Sequence, residues 1–233
     1  YAPDPSTTNR ACVGGGIGNN SCGAHSVIYG KTSDHILGMN VVLSDGKPAN
    51  FYPLNKAQVQ SKLSGIGLES DIYRSVLQIC SEHHNEILKR YPNIMRRVSG
   101  YNLDKFLGTD SVDMTQMIIG SEGTLCIVTD ATVKLVRKPS STSLVVIHFN
   151  DVSAACDAIP DILEHAPSAV ELVDHMMIER TRNSIGFAKN IGFIEGDPGA
   201  ILLVEFYGDS ILETKSISQS FKTQLARRNI GYA

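Results

Sequence analysis

The chain has 233 residues, enough for one large domain or two small ones with a sizeable core. Its net charge of −3 offers no basic surface, which excludes nucleic acid as a partner class, and its 42% hydrophobic content is that of a globular protein. Apolar runs such as residues 144–147 and 200–204 are too short to span a bilayer, and no secretory signal opens the sequence. Five cysteines without a CxxC pair predict reduced thiols in the cytoplasm and no zinc or iron–sulfur site of the usual spacing.

Residues 1–30 contain the densest glycine cluster, with Gly14, Gly15, Gly16 and Gly18 inside five positions. Glycine lets the backbone approach a ligand closely, and successive N–H groups form concavities suited to an anion. The familiar nucleotide-binding motifs are not matched in this region. The third glycine of GxGxxG is replaced by Asn19, and the P-loop spacing before Gly30-Lys31-Thr32 is wrong.

The next segments predict a hairpin and a long helix. Residues 35–43 read as a strand, residues 44–47 as a turn and residues 48–51 as a short returning strand. Residues 71–91 carry one apolar stripe at helical spacing, with Ser70 as the expected N-cap. His83 and His84 point about 100° apart on that helix, so we expect surface histidines and no metal site.

A loop over residues 96–104 follows, and residues 123–138 predict one long or bulged strand because they are rich in β-branched side chains. Arg96 and Arg97 suit either a carboxylate clamp or ordinary ion pairing. Residues 139–141 (PSS) mark a break in composition. We therefore predict two domains, over residues 1–138 and 139–233.

The second domain alternates strands and helices. Strands are expected over residues 144–149, 169–173 and 200–207, and helices over residues 152–165, 174–182 and 212–228. Pro160 falls inside the first of these helices and predicts a kink or an early stop, while Asp151 or Ser153 is the expected cap. The pattern is typical of a ferredoxin-like α+β layer. The predicted fold class is α+β throughout.

Three blocks in order resemble the FAD-binding domain of FAD-linked oxidases and dehydrogenases of the vanillyl-alcohol oxidase (PCMH) type. They are Pro3-Asp4-Pro5-Ser6, the run from Gly14-Gly15 through Asn20-Ser21-Cys22-Gly23 to Tyr29-Gly30, and residues 120–125 (GSEGTL). The sequences of the segments IGNNSCGAHS, YGKTSD and RRVSGYNLD are most similar to those of the large D-2-hydroxyacid dehydrogenases that carry iron–sulfur modules. The resemblance implies that residues 1–138 are the second FAD subdomain, an antiparallel sheet with flanking helices, and that residues 139–233 are part of a cap domain.

The resemblance also implies a set of residues along a non-covalently bound FAD: Pro3, Asp4, Cys12, Gly14, Gly15, Gly18, Asn20, Gly23, Glu122 and Ile127. Cys12 stands where relatives often have threonine, and Cys22 where they often have glycine. His25 is a candidate for a covalent flavin tether by fold analogy only. His148 and His175 are candidates for a base, and structural histidines are the commoner case. Arg97 is the candidate substrate contact.

The resemblance implies an enzyme that oxidises a D-2-hydroxyacid to a 2-oxoacid by hydride transfer to flavin. Relatives place a pyrophosphate loop before the segment matched here, and a His-containing metal motif and iron–sulfur module after it, so we interpret the chain as a fragment. The alternatives are a non-catalytic FAD-binding half that needs other segments or a partner chain, and an oxygen-using alcohol or sugar oxidase of the same fold. A cytoplasmic location is expected, with peripheral membrane association as an alternative; the electron acceptor stays open.

Overall fold

A computed structural model describes residues 1–108 and 111–232. The chain divides into two compact units, Tyr1–Val136 and Arg137–Ala233. Each unit has its own hydrophobic core. Among the described residues, none of the helices is both long and apolar enough to cross a membrane.

The first unit is built on a three-stranded antiparallel sheet in the order β2-β1-β5. Its strands are β1 (Ile36–Val42), β2 (Pro48–Phe51) and β5 (Ile127–Val133). Met39 pairs with Phe51 on one side and with Ala131 on the other, and the β1–β5 register shifts twice along the pairing. The predicted hairpin is therefore confirmed.

The strand predicted over residues 123–138 is too long. The backbone takes left-handed φ angles of 52° at Glu122 and 78° at Gly123, and the Thr124 N–H closes a turn by bonding the carbonyl of Ser121 at 3.0 Å. Such a turn cannot pair as a strand, so β5 begins only at Ile127. β-Branched composition alone did not reveal the turn.

Helices and a two-stranded ribbon complete the first unit. They are α1 (Val13–Gly18), α2 (Ser26–Tyr29), β3 (Leu54–Asn55), α3 (Lys56–Ser64), α4 (Leu68–Glu82), α5 (His84–Arg90), β4 (Ser111–Val112) and α6 (Thr115–Ile118), with 3₁₀ turns at Thr32–Asp34 and Leu103–Phe106. The single helix predicted over residues 71–91 is two helices that meet at His83, and α4 begins after Gly67 instead of Ser70. Gly67 has φ 105°, which explains why glycine precedes this helix.

The second unit contains a three-stranded antiparallel sheet in the order β6-β8-β7. Its elements are β6 (Ser141–Phe149), α7 (Val152–Asp157), α8 (Ile159–Leu163), β7 (Ala169–Asp174), α9 (His175–Arg182), a 3₁₀ turn at Ala188–Ile191, β8 (Ala200–Gly208) and α10 (Ile211–Arg228). Ile147 and Leu202 from the sheet pack with Ala155, Ile162 and Phe221 from the helices. The α+β class expected from the sequence is confirmed.

Local chemistry explains where the helices of the second unit begin. The Asp151 carboxylate accepts a bond from the Ala154 N–H at 2.8 Å, which confirms the predicted cap of α7. Pro160 lies in the first turn of α8, so the helix expected over residues 152–165 is divided at Ala158. The sequence pattern located these elements to within a few residues.

Candidate functional site

A cavity of about 490 Å³ lies in the first unit beside the glycine cluster. Three short segments and one buried threonine line it: Tyr1, Pro3, Asp4, Pro5, Thr7, Thr8, Ala11, Cys12, Val13, Gly15, Gly16, Asn19, Ser21 and Thr32. This volume falls within the usual range of small-molecule and cofactor sites. The cavity therefore brings the PDPS block and the first half of the glycine block together.

The glycines of α1 are not required by the protein's own packing. A Cβ added at Gly14 or Gly15 would meet nothing within 4 Å, and neither residue has a positive φ. Three successive glycines nevertheless weaken a helix by about 0.5–1 kcal/mol each relative to alanine. The open space beside Gly15, which lines the cavity, suits a ligand that approaches the backbone closely.

The start of α1 offers backbone donors to the same space. The first helical bond in this region joins the Gly16 N–H to the Cys12 carbonyl at 3.0 Å, so the preceding N–H groups have no helical acceptor. Cys12 makes no side-chain cap to them. Amides without an acceptor among the described residues, beside an open glycine face, are compatible with a phosphate-bearing or carbonyl-bearing cofactor.

Asp4 is fixed in place on the other side of the site. Its Oδ2 lies 2.6 Å from Nδ1 of His25, while its Oδ1 is buried and has no hydrogen-bond partner among the described residues. Gly23 packs directly against Asp4, since a Cβ there would lie 1.9 Å from the Asp4 carbonyl oxygen. Gly23 therefore serves the loop's own packing. His25 is engaged with Asp4 and does not line the cavity, so nothing here supports a covalent tether.

The GSEGTL block docks on the carboxyl end of α1. The Gly120 N–H donates to the Ile17 carbonyl at 3.0 Å, and the Glu122 N–H donates to the Gly18 carbonyl at 3.1 Å. Two blocks that the resemblance linked to one cofactor are thus joined through their backbones. Ile127, by contrast, is 69% exposed at the start of β5 and is not part of the cavity wall.

Asn20 has one buried amide group available. Its backbone is left-handed with φ 48°, and its Oδ1 accepts a bond from the Ser33 N–H at 3.0 Å. Its Nδ2 is buried without a hydrogen-bond partner among the described residues. A buried donor without an acceptor is costly, and a bound group that accepts its hydrogen bond would remove that cost.

Arg97 is occupied by contacts within the first unit. Its guanidinium binds Asp104 at 2.6 Å and Asn102 at 3.3 Å, and it stacks over the Tyr91 ring at 4.7 Å. Ordinary ion pairing explains this residue, and its role as a substrate contact stays a prediction. Arg96 instead supports the glycine block, because it donates to Ser26 Oγ at 2.8 Å and to the Gly23 carbonyl at 3.0 Å.

The candidate base His148 is held by hydrogen bonds at both ring nitrogens. Its Nε2 accepts the Glu195 N–H at 3.1 Å, so the proton must sit on Nδ1, which donates to the Tyr232 carbonyl at 3.1 Å. Both ring nitrogens are satisfied and the residue is buried, which gives it a structural role. His175 is half exposed and donates from Nδ1 to the Pro198 carbonyl. Neither geometry supports a base.

The histidine pair at the α4–α5 junction is exposed, as expected for surface residues. Over residues 1–108 and 111–232, no group of three potential ligands is arranged to hold a metal ion. All five cysteines are free, and burial raises the pKa of the Cys80 and Cys126 thiols.

Thr32 and Ser21 were missed as candidate site residues. The Thr32 hydroxyl donates to the Ser21 carbonyl at 2.8 Å, and both line the cavity.

Comparison with known proteins confirms the resemblance. Residues 1–51 match the model of the FAD binding domain, and residues 138–231 match that of the C-terminal domain of FAD linked oxidases. D-2-hydroxyglutarate dehydrogenases of Pantoea ananatis and Escherichia coli are each 32% identical over 90% of the chain. The glycolate oxidase subunit GlcD of Bacillus subtilis is 28% identical over 84% of it.

The match covers only part of these relatives. The chain spans 21% of the length of the two D-2-hydroxyglutarate dehydrogenases and 33% of the GlcD subunit. A solved structure of alkyldihydroxyacetonephosphate synthase aligns with 97% of the chain and 34% of its own length, with a TM-score of 0.56 at 16% identity. That likeness concerns the fold alone.

Proposed function

We propose, from the relationship of this chain to the FAD-linked oxidases and dehydrogenases, that it forms part of an FAD-dependent enzyme oxidising a D-2-hydroxyacid to a 2-oxoacid. In this proposal residues 1–138 are the second subdomain of the FAD-binding domain and residues 139–233 are part of the cap. The names of the relatives support the substrate class, because D-2-hydroxyglutarate, glycolate and D-lactate are all 2-hydroxyacids. When bound, FAD supplies the acceptor for the hydride that leaves the hydroxyl-bearing carbon.

One observation carries the cofactor assignment: the open glycine face of α1 borders a cavity and is joined by backbone bonds to the GSEGTL block. Gly14, Gly15 and the amides before Gly16 would accept a close approach by FAD. Asn20 would donate from Nδ2 to an acceptor on the cofactor. Pro3, Asp4, Cys12 and Thr32 would shape the cavity, and Gly18 and Glu122 would connect the two contact blocks.

The structure supports different roles for the remaining predicted contacts. Gly23 and His25 position Asp4, and Arg96 supports them from the loop before the Leu103–Phe106 turn. Ile127 stays a predicted contact. Neither His148 nor His175 is assigned as the base for the hydroxyl proton, and we expect that base in a segment that the longer relatives have outside the matched span. The same holds for any iron–sulfur module.

The test is an FAD titration of the 233-residue chain, followed by flavin fluorescence and calorimetric heat. Saturable binding in the micromolar range supports the assignment. A folded sample that does not bind contradicts it and favours the alternative, a structural half whose cofactor affinity resides in other segments.

A further inference from the structure

Asn102 makes contacts that differ from those usual at its position in the chain. It precedes the 3₁₀ turn Leu103–Phe106, where an asparagine side chain ordinarily accepts a hydrogen bond from one of the first N–H groups. The Asn102 side chain makes no such cap. The residue is only 2% exposed, and buried polar groups are almost always hydrogen-bonded. Its amide must therefore serve partners elsewhere in the first unit.

These partners are carbonyl groups at the end of α6. Nδ2 of Asn102 donates to the carbonyl of Gln116 at 3.0 Å and to the carbonyl of Ile119 at 3.1 Å. Its Oδ1 accepts a bond from Nη1 of Arg97 at 3.3 Å, which fixes the orientation of the amide. The last carbonyl groups of a helix have no donor within the helix. Asn102 therefore caps the carboxyl end of α6 from a different part of the chain.

The Gln116 carbonyl is the acceptor that Gly120 would ordinarily use. Gly120 follows the cap residue of α6 and has a left-handed backbone with φ 84°. When a helix ends in this way, the glycine N–H commonly bonds the carbonyl four residues earlier, which for Gly120 is that of Gln116. The Gly120 N–H instead donates to the Ile17 carbonyl of α1 at 3.0 Å. Asn102 takes the place of the glycine N–H at Gln116.

The diverted N–H joins the GSEGTL block to the glycine helix. Gly120 is the first residue of that block, and Glu122 donates to the Gly18 carbonyl at 3.1 Å. These two bonds hold the carboxyl end of α1 against the GSEGTL turn. Gly15 of the same six-residue helix lines the cavity described above. The acceptor that Gly120 bonds therefore affects the position of the cavity wall.

We propose that Asn102 is a positioning residue for this site. By occupying the Gln116 carbonyl, it directs the Gly120 N–H to Ile17 and so sets where α1 lies against the GSEGTL turn. Asn102 does not line the cavity, so its effect on a ligand there is indirect. The consequence for FAD affinity rests on the proposed function, whereas the choice of acceptor by Gly120 does not.

The test identifies the acceptor of the Gly120 N–H by NMR. Through-bond couplings between amide nitrogens and carbonyl carbons are measured in deuterated parent chain and in Asn102→Ala, which removes the donor without adding charge. We expect a Gly120–Ile17 coupling in the parent chain and its loss in the variant. A variant that keeps this coupling would overturn the proposal. If the alanine variant does not fold, Asn102→Asp decides in the same way, because it preserves the volume and the acceptor for Arg97.

FAD titration of the same samples tests the consequence for the cofactor site. We expect a dissociation constant at least tenfold weaker in Asn102→Ala. Val59→Ala, which removes buried volume from α3 in the same core, should bind FAD as the parent chain does. Equal affinity in all three proteins, or equal weakening in both variants, would overturn the positioning role. If the parent chain binds no FAD, the proposed function fails by itself, and the coupling alone then decides whether Asn102 directs Gly120.

Discussion

The substitution Gly15→Ala separates a cofactor role of the glycine cluster from a structural one. Its Cβ would enter space with no protein atom within 4 Å, so the folded chain should tolerate it. Alanine is the better helix former, and its backbone loses less entropy on folding. We therefore expect the free energy of unfolding to stay constant or rise by about 0.5–1 kcal/mol.

FAD affinity should change in the opposite direction. An extra methyl group in a close-packed contact typically costs about 1–3 kcal/mol, which corresponds to a dissociation constant about 5- to 150-fold weaker. The assay pairs urea unfolding with fluorescence titration of FAD on the same samples. A matched control is Gly192→Ala, which also points into open space but lies in the second unit, and it should bind FAD normally.

Two results would refute this reasoning. If Gly15→Ala binds FAD as tightly as the parent chain, the open face is not the contact surface. If the variant unfolds at markedly lower urea concentration, Gly15 has a structural role that its surroundings do not reveal. Unchanged or increased stability together with weaker FAD binding is the result expected if Gly15 is glycine because the cofactor approaches its backbone closely.

Other predictions concern residues whose contacts are already filled. His148→Ala should lower the free energy of unfolding by about 1–3 kcal/mol, measured by urea denaturation, because it leaves the Glu195 N–H without its acceptor and removes the side-chain bond to the Tyr232 carbonyl. Arg97→Ala should also destabilise the chain by about 1–3 kcal/mol, and unchanged stability with a raised KM in the complete enzyme would instead restore its proposed substrate role. Arg96→Ala should weaken FAD binding. Arg96→Lys should restore it only partly, because lysine lacks the forked guanidinium that reaches both Ser26 and Gly23. Equal FAD affinity in the parent chain and both variants would exclude a role of Arg96 in supporting the glycine block. Tyr73→Phe should leave stability unchanged or raise it by about 1 kcal/mol, because the buried Tyr73 hydroxyl has no partner among the described residues, and a large loss would show that it has one.

Tyr73 also predicts the direction of an alkaline pH dependence. Burial, followed by the charges of Glu69 and Asp113, raises the pKa of Tyr73 above its ordinary value of 10.0. The unfolded chain therefore releases this proton first, and the contribution of Tyr73 to stability is complete below pH 10 and declines as the pH rises further. Unfolding curves between pH 9 and pH 11 should show a smaller decline for Tyr73→Phe than for the parent chain. Equal slopes would contradict this assignment.

Patterns local in sequence predicted most of the fold. The hairpin over residues 35–51 and the strands and helices after residue 140 follow from alternation, helical spacing and turn residues. The break at His83 was missed because the apolar stripe continues across it, with Cys80 and Ile87 both buried. An apolar stripe indicates which face of a helix is buried, but it does not indicate where the helix is interrupted.

Roles of residues that depend on partners distant in the sequence were harder to predict. The glycine block was identified from its composition, but Thr32 entered the site only through its bond to the Ser21 carbonyl. His148 and Tyr232 are 84 residues apart and no spacing rule links them, so the sequence left His148 as a candidate base beside the commoner structural role. An imidazole side chain can act as a base. The hydrogen bonds from both ring nitrogens of His148 to Tyr232 and Glu195 give this one a structural role instead.

The backbone bonds from GSEGTL to α1 have a consequence for synthesis on the ribosome. α1 has six residues, four of them glycine, and a helix this short has no independent stability in water. The Gly120 and Glu122 amides that satisfy its carbonyl end are translated about a hundred residues later. At about 5–20 residues per second, the amino-terminal glycine segment therefore waits several seconds outside the ribosome before its partners emerge. During that interval its carbonyl groups lack these partners, and we expect the segment to be accessible to proteases and chaperones.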